Sequence, residues 1–455
     1  MSSLTRQLGA TMIIMLLIMV LGMASLLIGS MDIAALQLER NKVSDHALAQ
    51  VKAALIGYAI TYGDSHGGEV PGYLPCPDLD GGNPEGSAEA VCGSKNVSVL
   101  GRLPWRTLNL PQLRDGAGEC LWYAVAGSYK NNPKTDLMNW DNDGTFEIRG
   151  DNDEQLAGPD AASRAVAVIF APGTAQGNQD RTSSGNTPAC GGNYLAANYL
   201  DNDGMHDNAS ILPSAGALSI FASGTSPSFN DRMIFITKDD IFDALLRRSD
   251  FISMLTTMTR QTAECIAVFG TRNGYGGSAN KSLPWPAPLA LSSYGTNANY
   301  NDASNLYAGR VPYQVDAAKA ATGNSISGIN LLNTTNCPAG WTAVDAWWSN
   351  WKDHLFYAIA AEFKPGNLPT NSCGTCLHVN GNGIYAAVIL FAGKRLASQD
   401  RTDKSVLDAY LEGHNAGNYP NAGGNSDYEV SADADAFNDV LYCIDEQLAV
   451  QPCPQ

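Results

Sequence analysis

The residues best suited to chemistry are the oxygen-bearing side chains of one acidic loop, residues 139–147. Oxygen ligands stand at loop positions 1, 3, 5 and 9, with a glycine at position 6 and an apolar residue at position 8, which is the spacing of a calcium-binding loop. The loop lacks the bidentate glutamate at position 12, for which Asp151, Asp153 or Glu154 would substitute. The predicted ligands are Asn139, Asp141, Asp143, Thr145, Glu147 and Asp151.

A second, weaker loop places Asp201, Asp203 and Asp207 around Gly204, with Tyr199 where the first ligand should stand. Calcium is the one cofactor that these loops predict, since oxygen side chains are the ligands of hard cations. The same Asp-Asn-Asp-Gly sequence is also typical of a tight turn, because Asp, Asn and Gly favour turn conformations. The sequence therefore leaves a calcium site and a plain turn open for both loops.

Familiar catalytic patterns are missing from the sequence. Its six histidines form no H-E-x-x-H pair, and the chain has no G-x-S-x-G elbow, P-loop or dinucleotide fingerprint. We therefore predict that the protein is not an enzyme. The net charge of −17 and the isoelectric point near 4.7 argue against a nucleic-acid partner.

Ten cysteines in a chain that reads as exported predict disulfides and an oxidising compartment. Close spacing favours three local bridges, although connectivity is open from sequence alone: Cys76 with Cys92, Cys373 with Cys376, and Cys443 with Cys453. The C-x-x-C spacing of Cys373 and Cys376 also suits zinc or thiol redox chemistry. Zinc would need further ligands besides His378, and a thioredoxin-like site would need a helix after the motif, so a structural bridge is favoured.

The elements that position these residues begin with an apolar stretch at residues 10–29, which contains no charged residue. At 1.5 Å per residue such a helix spans about 30 Å, the thickness of a bilayer's hydrocarbon core. Residues 31–62 keep a helical pattern but become amphipathic. We predict one long N-terminal helix over residues 10–62, with a transmembrane half at 10–29 and its N-terminal end in the cytoplasm.

This N-terminus resembles that of type IV prepilins and type II secretion pseudopilins. The matching residues are the short leader with Arg6, Gly9 at the cleavage position and the apolar helix from Ala10. The resemblance implies cleavage after Gly9 by a prepilin peptidase, methylation of Ala10 and assembly with other pilins or pseudopilins through the helix. Ile14 stands where most members carry glutamate, which resembles the large minor pseudopilins at filament tips. An ordinary signal anchor is the alternative interpretation.

The remainder of the chain contains an internal repeat. Six short blocks recur in the same order: those that begin at Leu74 and Leu283, Gly101 and Gly309, Leu121 and Leu355, Gln179 and Gln399, Tyr199 and Tyr410, and Phe229 and Phe437. Because repeated blocks indicate repeated supersecondary units, each half should be one helix followed by a small sheet. The repeated Asp-Arg pairs at 180–181 and 400–401 suggest a buried ion pair or a turn clamp that belongs to the scaffold.

These patterns predict an α+β fold: a long pilin-like helix followed by two repeated pilin-like heads, each a helix on an antiparallel sheet. The predicted domains are a leader (1–9), the helix (10–62), a first head (63–238) and a second head (239–455) that begins with a helix at 239–269. The predicted function is a minor pilin or pseudopilin, a structural, initiating or tip subunit of such a filament. The alternatives are a membrane-anchored tip adhesin or ligand-binding module and, less favoured, a periplasmic enzyme. The predicted localisation is the inner membrane, with a single pass and periplasmic bulk, and the cell surface after assembly.

Overall fold

The structure is a computed structural model. It describes residues 4–80, 82–150, 152–185, 187–224, 229–272, 281–323, 329–366, 373–374, 376–417, 427–433 and 436–455 and, within the first helix, the side chains of residues 12–13, 15–20 and 35–65. The chain forms two compact units. The first comprises Met1–Leu55, Pro75–Gly127 and Thr145–Ile236, and the second comprises Ile56–Leu74, Ser128–Gly144 and Thr237–Gln455.

The first helix, α1, runs over Leu4–Ser65, a stretch without proline. Its later part buries apolar residues at helical spacing: Ala47, Leu48, Val51, Leu55, Ala59 and Tyr62. Its earlier part differs, because the apolar side chains described there, Met12, Ile13 and residues 15–20, are exposed. The helix therefore has a core-facing part and an apolar part that the chain itself leaves uncovered.

The predicted transmembrane half at residues 10–29 is wrong, and the single-pass inner-membrane localisation is wrong with it. Among the described residues, the structure contains no helix whose length and apolar character suffice to cross a bilayer. The predicted processing site, Gly9 and Ala10, lies outside the part of α1 whose residues the structure describes beyond the helix itself.

The first unit contains a seven-stranded mixed sheet. Its strands are β1 (Val99–Arg102), β2 (Trp122–Val125), β3 (Phe146–Arg149), β4 (Gln155–Ala157), β5 (Ala165–Ala171), β6 (Ser219–Ala222) and β7 (Arg232–Thr237). They follow the order β1-β2-β5-β3-β4, while β6 pairs with β3 and β7 pairs with β5. Strand β5 is apolar and buried at every position, which is typical of a central strand covered on both faces.

The second unit carries most of the helices and a second seven-stranded sheet. Its helices are α2 (Lys238–Leu246), α3 (Ser249–Thr271), α4 (Asp316–Thr322), α5 (Trp341–Trp351) and α6 (Gly413–Gly417). Its strands are β8 (Ala308–Arg310), β9 (Leu355–Ile359), β10 (Leu377–Val379), β11 (Asn382–Phe391), β12 (Asp427–Tyr428), β13 (Val440–Asp445) and β14 (Val450–Pro452). The order is β12-β10-β11-β13-β14, with β9 paired to β11 and β8 to β9. Helix α3 lies against β11, β13 and β14.

The repeated blocks occupy equivalent places in the two sheets. Tyr123 on β2 lies opposite Ile169 on β5, as Tyr357 on β9 lies opposite Ile389 on β11. Each tyrosine hydroxyl donates to the carbonyl of the first proline in its own Leu-Pro-x-Pro block, at 3.2 and 3.0 Å. The repeat in the sequence is therefore a repeat of strand pairing and of side-chain contacts.

The predicted fold needs two further corrections. Neither sheet is purely antiparallel, because β3 pairs in parallel with β6 and β10 with β12. The predicted helix at 239–269 is two helices, α2 and α3. Arg248 separates them because its backbone is extended (φ −88°, ψ 118°), and its guanidinium is held by the carboxylates of Asp64 at 2.9 Å and Asp250 at 2.6 Å.

Candidate functional site

The Asp-Arg blocks form one polar network in each unit. In the first unit the guanidinium of Arg181 donates to the carbonyl oxygens of Gly173 at 2.8 Å and Asn198 at 2.9 Å. It also donates to Oε1 of Gln179 at 2.8 Å. The amide of Gln179 donates in turn to Asp201 Oδ1 at 3.0 Å. We call this set, with its counterpart in the second unit, the clamp network.

The second unit repeats the clamp network with equivalent residues. Arg401 donates to the carbonyl oxygens of Gly393 at 2.9 Å and Ala409 at 2.7 Å. It donates to Gln399 Oε1 at 3.2 Å, and Gln399 donates to Glu412 Oε1 at 2.8 Å. The planar fork of arginine suits several carbonyl oxygens at once, so both arginines fasten the end of a central strand to the segment that follows.

Asp180 and Asp400 do not pair with these arginines. Each accepts hydrogen bonds from the backbone N–H and the hydroxyl of the threonine two residues later, Thr182 and Thr402. These bonds lower the pKa of both exposed carboxyls. Of the two predicted arrangements, the turn clamp is therefore the one that forms.

A pair of buried carboxyl groups completes each network. Asp231 Oδ2 accepts from the backbone N–H of Asp201 at 2.8 Å, and Asp439 Oδ2 accepts from that of Glu412 at 3.2 Å. Burial, followed by the neighbouring carboxylate, raises the pKa of Asp231 and of Asp439 well above the ordinary value. The Oδ1 atoms of these two residues are buried and have no hydrogen-bond partner among the described residues. Each pair is thus suited to hold a proton inside the protein.

A cluster of buried charges distinguishes the second unit. His354 lies between two carboxylates, with Nδ1 at 3.0 Å from Asp353 and Nε2 at 2.9 Å from Asp141. Lys404 pairs with Asp353, and Arg401 lies 3.4 Å from Asp141. Burial opposes the charge of Asp141, yet the charges of His354 and Arg401 lower its pKa to about 2. The pKa of Asp353 is also lowered, because Lys404 and His354 outweigh its complete burial.

The charge cluster takes the place of a disulfide in the repeat. His354 precedes the Leu-Phe-Tyr-Ala block as Cys120 precedes Leu-Trp-Tyr-Ala, and Cys120 is bonded to Cys190. His354 and Asp353 are both 0% exposed, so a substrate cannot reach them. Their arrangement therefore supports a structural role, since an acid–base catalyst must touch the group whose proton it moves.

The side-chain oxygens of the first predicted calcium loop form hydrogen bonds and ion pairs with other groups of the chain. Asn139 Oδ1 accepts from the backbone of Asp141, whose carboxylate faces His354, and Asp143 pairs with Lys238 at 2.8 Å. The loop is also divided, because residues up to Gly144 belong to the second unit and residues from Thr145 to the first. In the first unit Thr145 bonds to the hydroxyl of Ser98 at 2.8 Å, and Glu147 pairs with Arg149. Asp151 lies outside the described residues.

The second predicted loop forms turns. Asp203 Oδ1 accepts from the backbone N–H groups of Met205 and His206, and Asp207 Oδ1 accepts from that of Ala209, while Asp201 belongs to the clamp network. Calcium binding by either loop stays a prediction. Isothermal titration of the protein with calcium, beside Asp143→Asn and Asp203→Asn, measures it.

The three predicted disulfides are formed: Cys76–Cys92, Cys373–Cys376 and Cys443–Cys453. Two more, Cys120–Cys190 and Cys265–Cys337, were not predicted, because 70 and 72 residues separate their partners. Within the described residues, the one close group of potential metal ligands is Glu362 with Cys373 and Cys376. Its sulfurs are bonded to each other and are therefore not thiolates, the form in which cysteine binds zinc.

An open cleft of about 760 Å³ lies beside the clamp network of the first unit. Its lining combines apolar surface with amide, carboxyl and hydroxyl groups, among them those of Gln179, Asn198, Asp201, Asp207 and Ser210. The backbone of the clamp network fixes several of these groups in position. The cleft is therefore a preformed surface that holds polar groups at fixed positions.

Comparison of the chain with protein-family models, with curated proteins and with solved structures gives no match in any of the three. Function therefore rests on the residues themselves.

Proposed function

We propose that the protein is a non-enzymatic structural subunit of an exported filament of the type IV pilus or type II secretion kind. The observation that carries this proposal is the uncovered apolar part of α1, where Met12, Ile13 and residues 15–20 are 54–77% exposed. A contiguous apolar surface of this kind is typical of an interaction site. Five disulfides support function in an oxidising compartment outside the cytoplasm.

Burial of this surface is favourable enough to support assembly. Each large apolar side chain gains about 1.5–3 kcal/mol when it is fully buried. Eight such side chains are 54–77% exposed in this part of α1, so about two thirds of that gain is available from each, or roughly 8–16 kcal/mol in all at complete burial. Association of two molecules costs about 4–15 kcal/mol in lost freedom. The surface suits the apolar helices of neighbouring subunits, because it offers no charged group to a polar partner.

The resemblance at the N-terminus adds processing to the proposal. A prepilin-type peptidase would cleave after Gly9, and Ala10 would become the methylated N-terminus of the mature subunit. Other pilins or pseudopilins are then the partners of the helix.

Sedimentation velocity of the purified full chain tests the assembly. We expect large oligomers of the unaltered protein and monomers of a variant in which serine replaces Leu16, Ile18 and Val20. A matched control replaces three exposed apolar residues of the first unit by serine, at Leu195, Met205 and Leu212, and should assemble as the unaltered protein does. A monomeric unaltered protein, or equal assembly of both variants, would contradict the proposal.

A second candidate function is ligand binding by the cleft of the first unit, as in an adhesin. Its amide, carboxyl and hydroxyl groups suit a hydroxyl-rich ligand such as an oligosaccharide, which is recognised by many directed hydrogen bonds. A glycan array tests it, with Ser210→Ala and Asp207→Asn as cleft variants. Loss of a glycan signal in both variants supports this function, and no signal from the unaltered protein contradicts it.

A further inference from the structure

The disulfide Cys373–Cys376 differs from the other four in the length of chain that it closes. Its cysteines are 3 residues apart, whereas the other bridges join residues that are 10, 16, 70 and 72 apart. A disulfide stabilises a fold mainly by restricting the unfolded chain, and this effect grows with the length of the closed loop. The Cys373–Cys376 bridge therefore contributes least to stability.

Exposure also distinguishes this bridge. Cys373 is partly exposed, while Cys376 is buried and 2% exposed. Of the other cysteines only Cys190 is partly exposed, and its bridge to Cys120 spans 70 residues. Because an attacking thiolate has to reach a sulfur atom, exposure at one end makes a disulfide accessible to exchange. A partly exposed cysteine and a short closed loop occur together only at Cys373–Cys376 among the five bridges.

A carboxyl group stands beside the two sulfurs. A carboxylate oxygen of Glu362 and the sulfurs of Cys373 and Cys376 all lie within 4.8 Å of one another. Glu362 Oε1 also lies near Gly374, the residue that follows Cys373. It is 3.8 Å from the position that a Cβ atom on this glycine would occupy. A carboxyl group at this place can take up a proton from an attacking thiol and return it to the leaving sulfur.

We propose that Cys373 and Cys376 form a reversible dithiol–disulfide site that exchanges with a dithiol of a partner protein. In this site the carboxyl group of Glu362 takes up the proton of the attacking thiol and returns it to the leaving sulfur. A partner thiolate attacks Sγ of Cys373; the new S–S bond forms as the Cys373–Cys376 bond breaks, and Cys376 leaves as a thiolate. The second partner thiol then displaces Cys373. The partner becomes a disulfide, and two electrons and two protons pass to Cys373 and Cys376. This activity is separate from assembly through α1.

Redox titration of the full-length protein tests the proposal. The protein is equilibrated with reduced and oxidised dithiothreitol at graded ratios, alkylated, and read for each bridge by peptide mass spectrometry. We expect Cys373–Cys376 to be half reduced at a ratio at least tenfold more oxidising than Cys443–Cys453, the bridge with the next shortest spacing. Reduction of both bridges at the same ratio, or of Cys373–Cys376 only after unfolding in urea, would overturn the site.

A variant separates the role of Glu362 from a purely structural one. In Glu362→Gln the pH profile of the rate of Cys373–Cys376 reduction should shift, while the rate for Cys443–Cys453 keeps its profile. The control Glu446→Gln changes a glutamate that is partly exposed, as Glu362 is, but lies in another loop, and it should leave both profiles unchanged. Identical profiles for Glu362→Gln and the unaltered protein would overturn the proton role assigned to Glu362.

Discussion

Arg181 and Arg401 make the same set of hydrogen bonds in the two units of the chain. Each donates to the carbonyl of a glycine just after a central strand, Gly173 at 2.8 Å and Gly393 at 2.9 Å. Each also donates to the side chain of the glutamine two residues earlier. The third shared hydrogen bond goes to the carbonyl of Asn198 in the first unit and of Ala409 in the second. Three equivalent hydrogen bonds in two stretches of sequence follow from duplication of the scaffold and need no catalytic explanation.

Removal of the guanidinium of Arg401 should destabilise the second unit strongly. Arg401→Met leaves the buried carboxylate of Asp141 with one cation fewer and the carbonyl of Gly393 without this donor. Removal of one partner of a buried ion pair lowers the free energy of unfolding by about 3–5 kcal/mol. Urea unfolding measures the cost, with the exposed Arg395→Met as a control expected within about 0.5 kcal/mol of the unaltered protein. Equal urea midpoints for the two variants would contradict this role.

The carboxyl pair of the second unit should make stability fall as the pH rises. The pKa of Asp439 is raised by burial and by Glu412. A group with a higher pKa in the folded than in the unfolded chain stabilises the fold below its unfolded pKa, and this contribution is lost as the pH rises through the folded pKa. Asp439→Asn carries no such proton. The urea midpoint of this variant, relative to that of the unaltered protein, should therefore rise as the pH is raised above about 4. A difference that does not change with pH would contradict the shared proton.

Asp141 should have the opposite pH dependence. Its pKa of about 2 lies below the ordinary 3.8, so its contribution is present above about pH 4 and is lost as the pH falls towards 2. A shift of this size corresponds to roughly 2–3 kcal/mol. Asp141→Asn should lose about that much unfolding free energy at pH 7 and little at pH 2, whereas the exposed Asp408→Asn should change neither. A loss that is independent of pH would show that His354 and Arg401 do not set this pKa.

Short identical blocks made the duplication visible in the sequence. Gln-Asp-Arg-Thr occurs in both copies, and the two arginines hold equivalent places. The acids of the clamp network stand in two of the repeated blocks, Asp201 with Glu412 and Asp231 with Asp439. Their burial was not predicted, because nothing around them in the sequence marks it. The charge cluster was not predicted because of a substitution, since His354 stands where the first copy has Cys120.

Contacts between distant residues account for the other differences between prediction and structure. The carboxylate of Asp143 is bound by Lys238, 95 residues later in the chain. The sequence pattern of a calcium loop specifies only the spacing of potential ligands. It therefore cannot reveal a lysine from a distant part of the chain that binds one of them. The parallel pairing of β3 with β6 likewise joins strands that are separated by β4 and β5. Periodicity predicts that a strand forms, but not which strand lies beside it.

Processing at the N-terminus should depend on Gly9. Co-expression with a prepilin peptidase should give a mature chain that begins at methylated Ala10, because the leader ends in the glycine that such enzymes require in the proteins this chain resembles. Intact mass measures the product. Gly9→Val should keep the leader, whereas Gly22→Val, a matched change within the same helix, should be processed. An unaltered protein that retains its leader beside active peptidase would contradict the resemblance.

Photo-crosslinking within the assembled protein shows whether α1 joins subunits through its uncovered apolar part. A photoreactive phenylalanine analogue is placed at Leu16 or, as a control, at Leu195, which are 67% and 66% exposed. We expect crosslinks from position 16 to the α1 helix of a second subunit, identified by mass spectrometry, and none to that helix from position 195. Crosslinks from position 16 only to its own chain would contradict it.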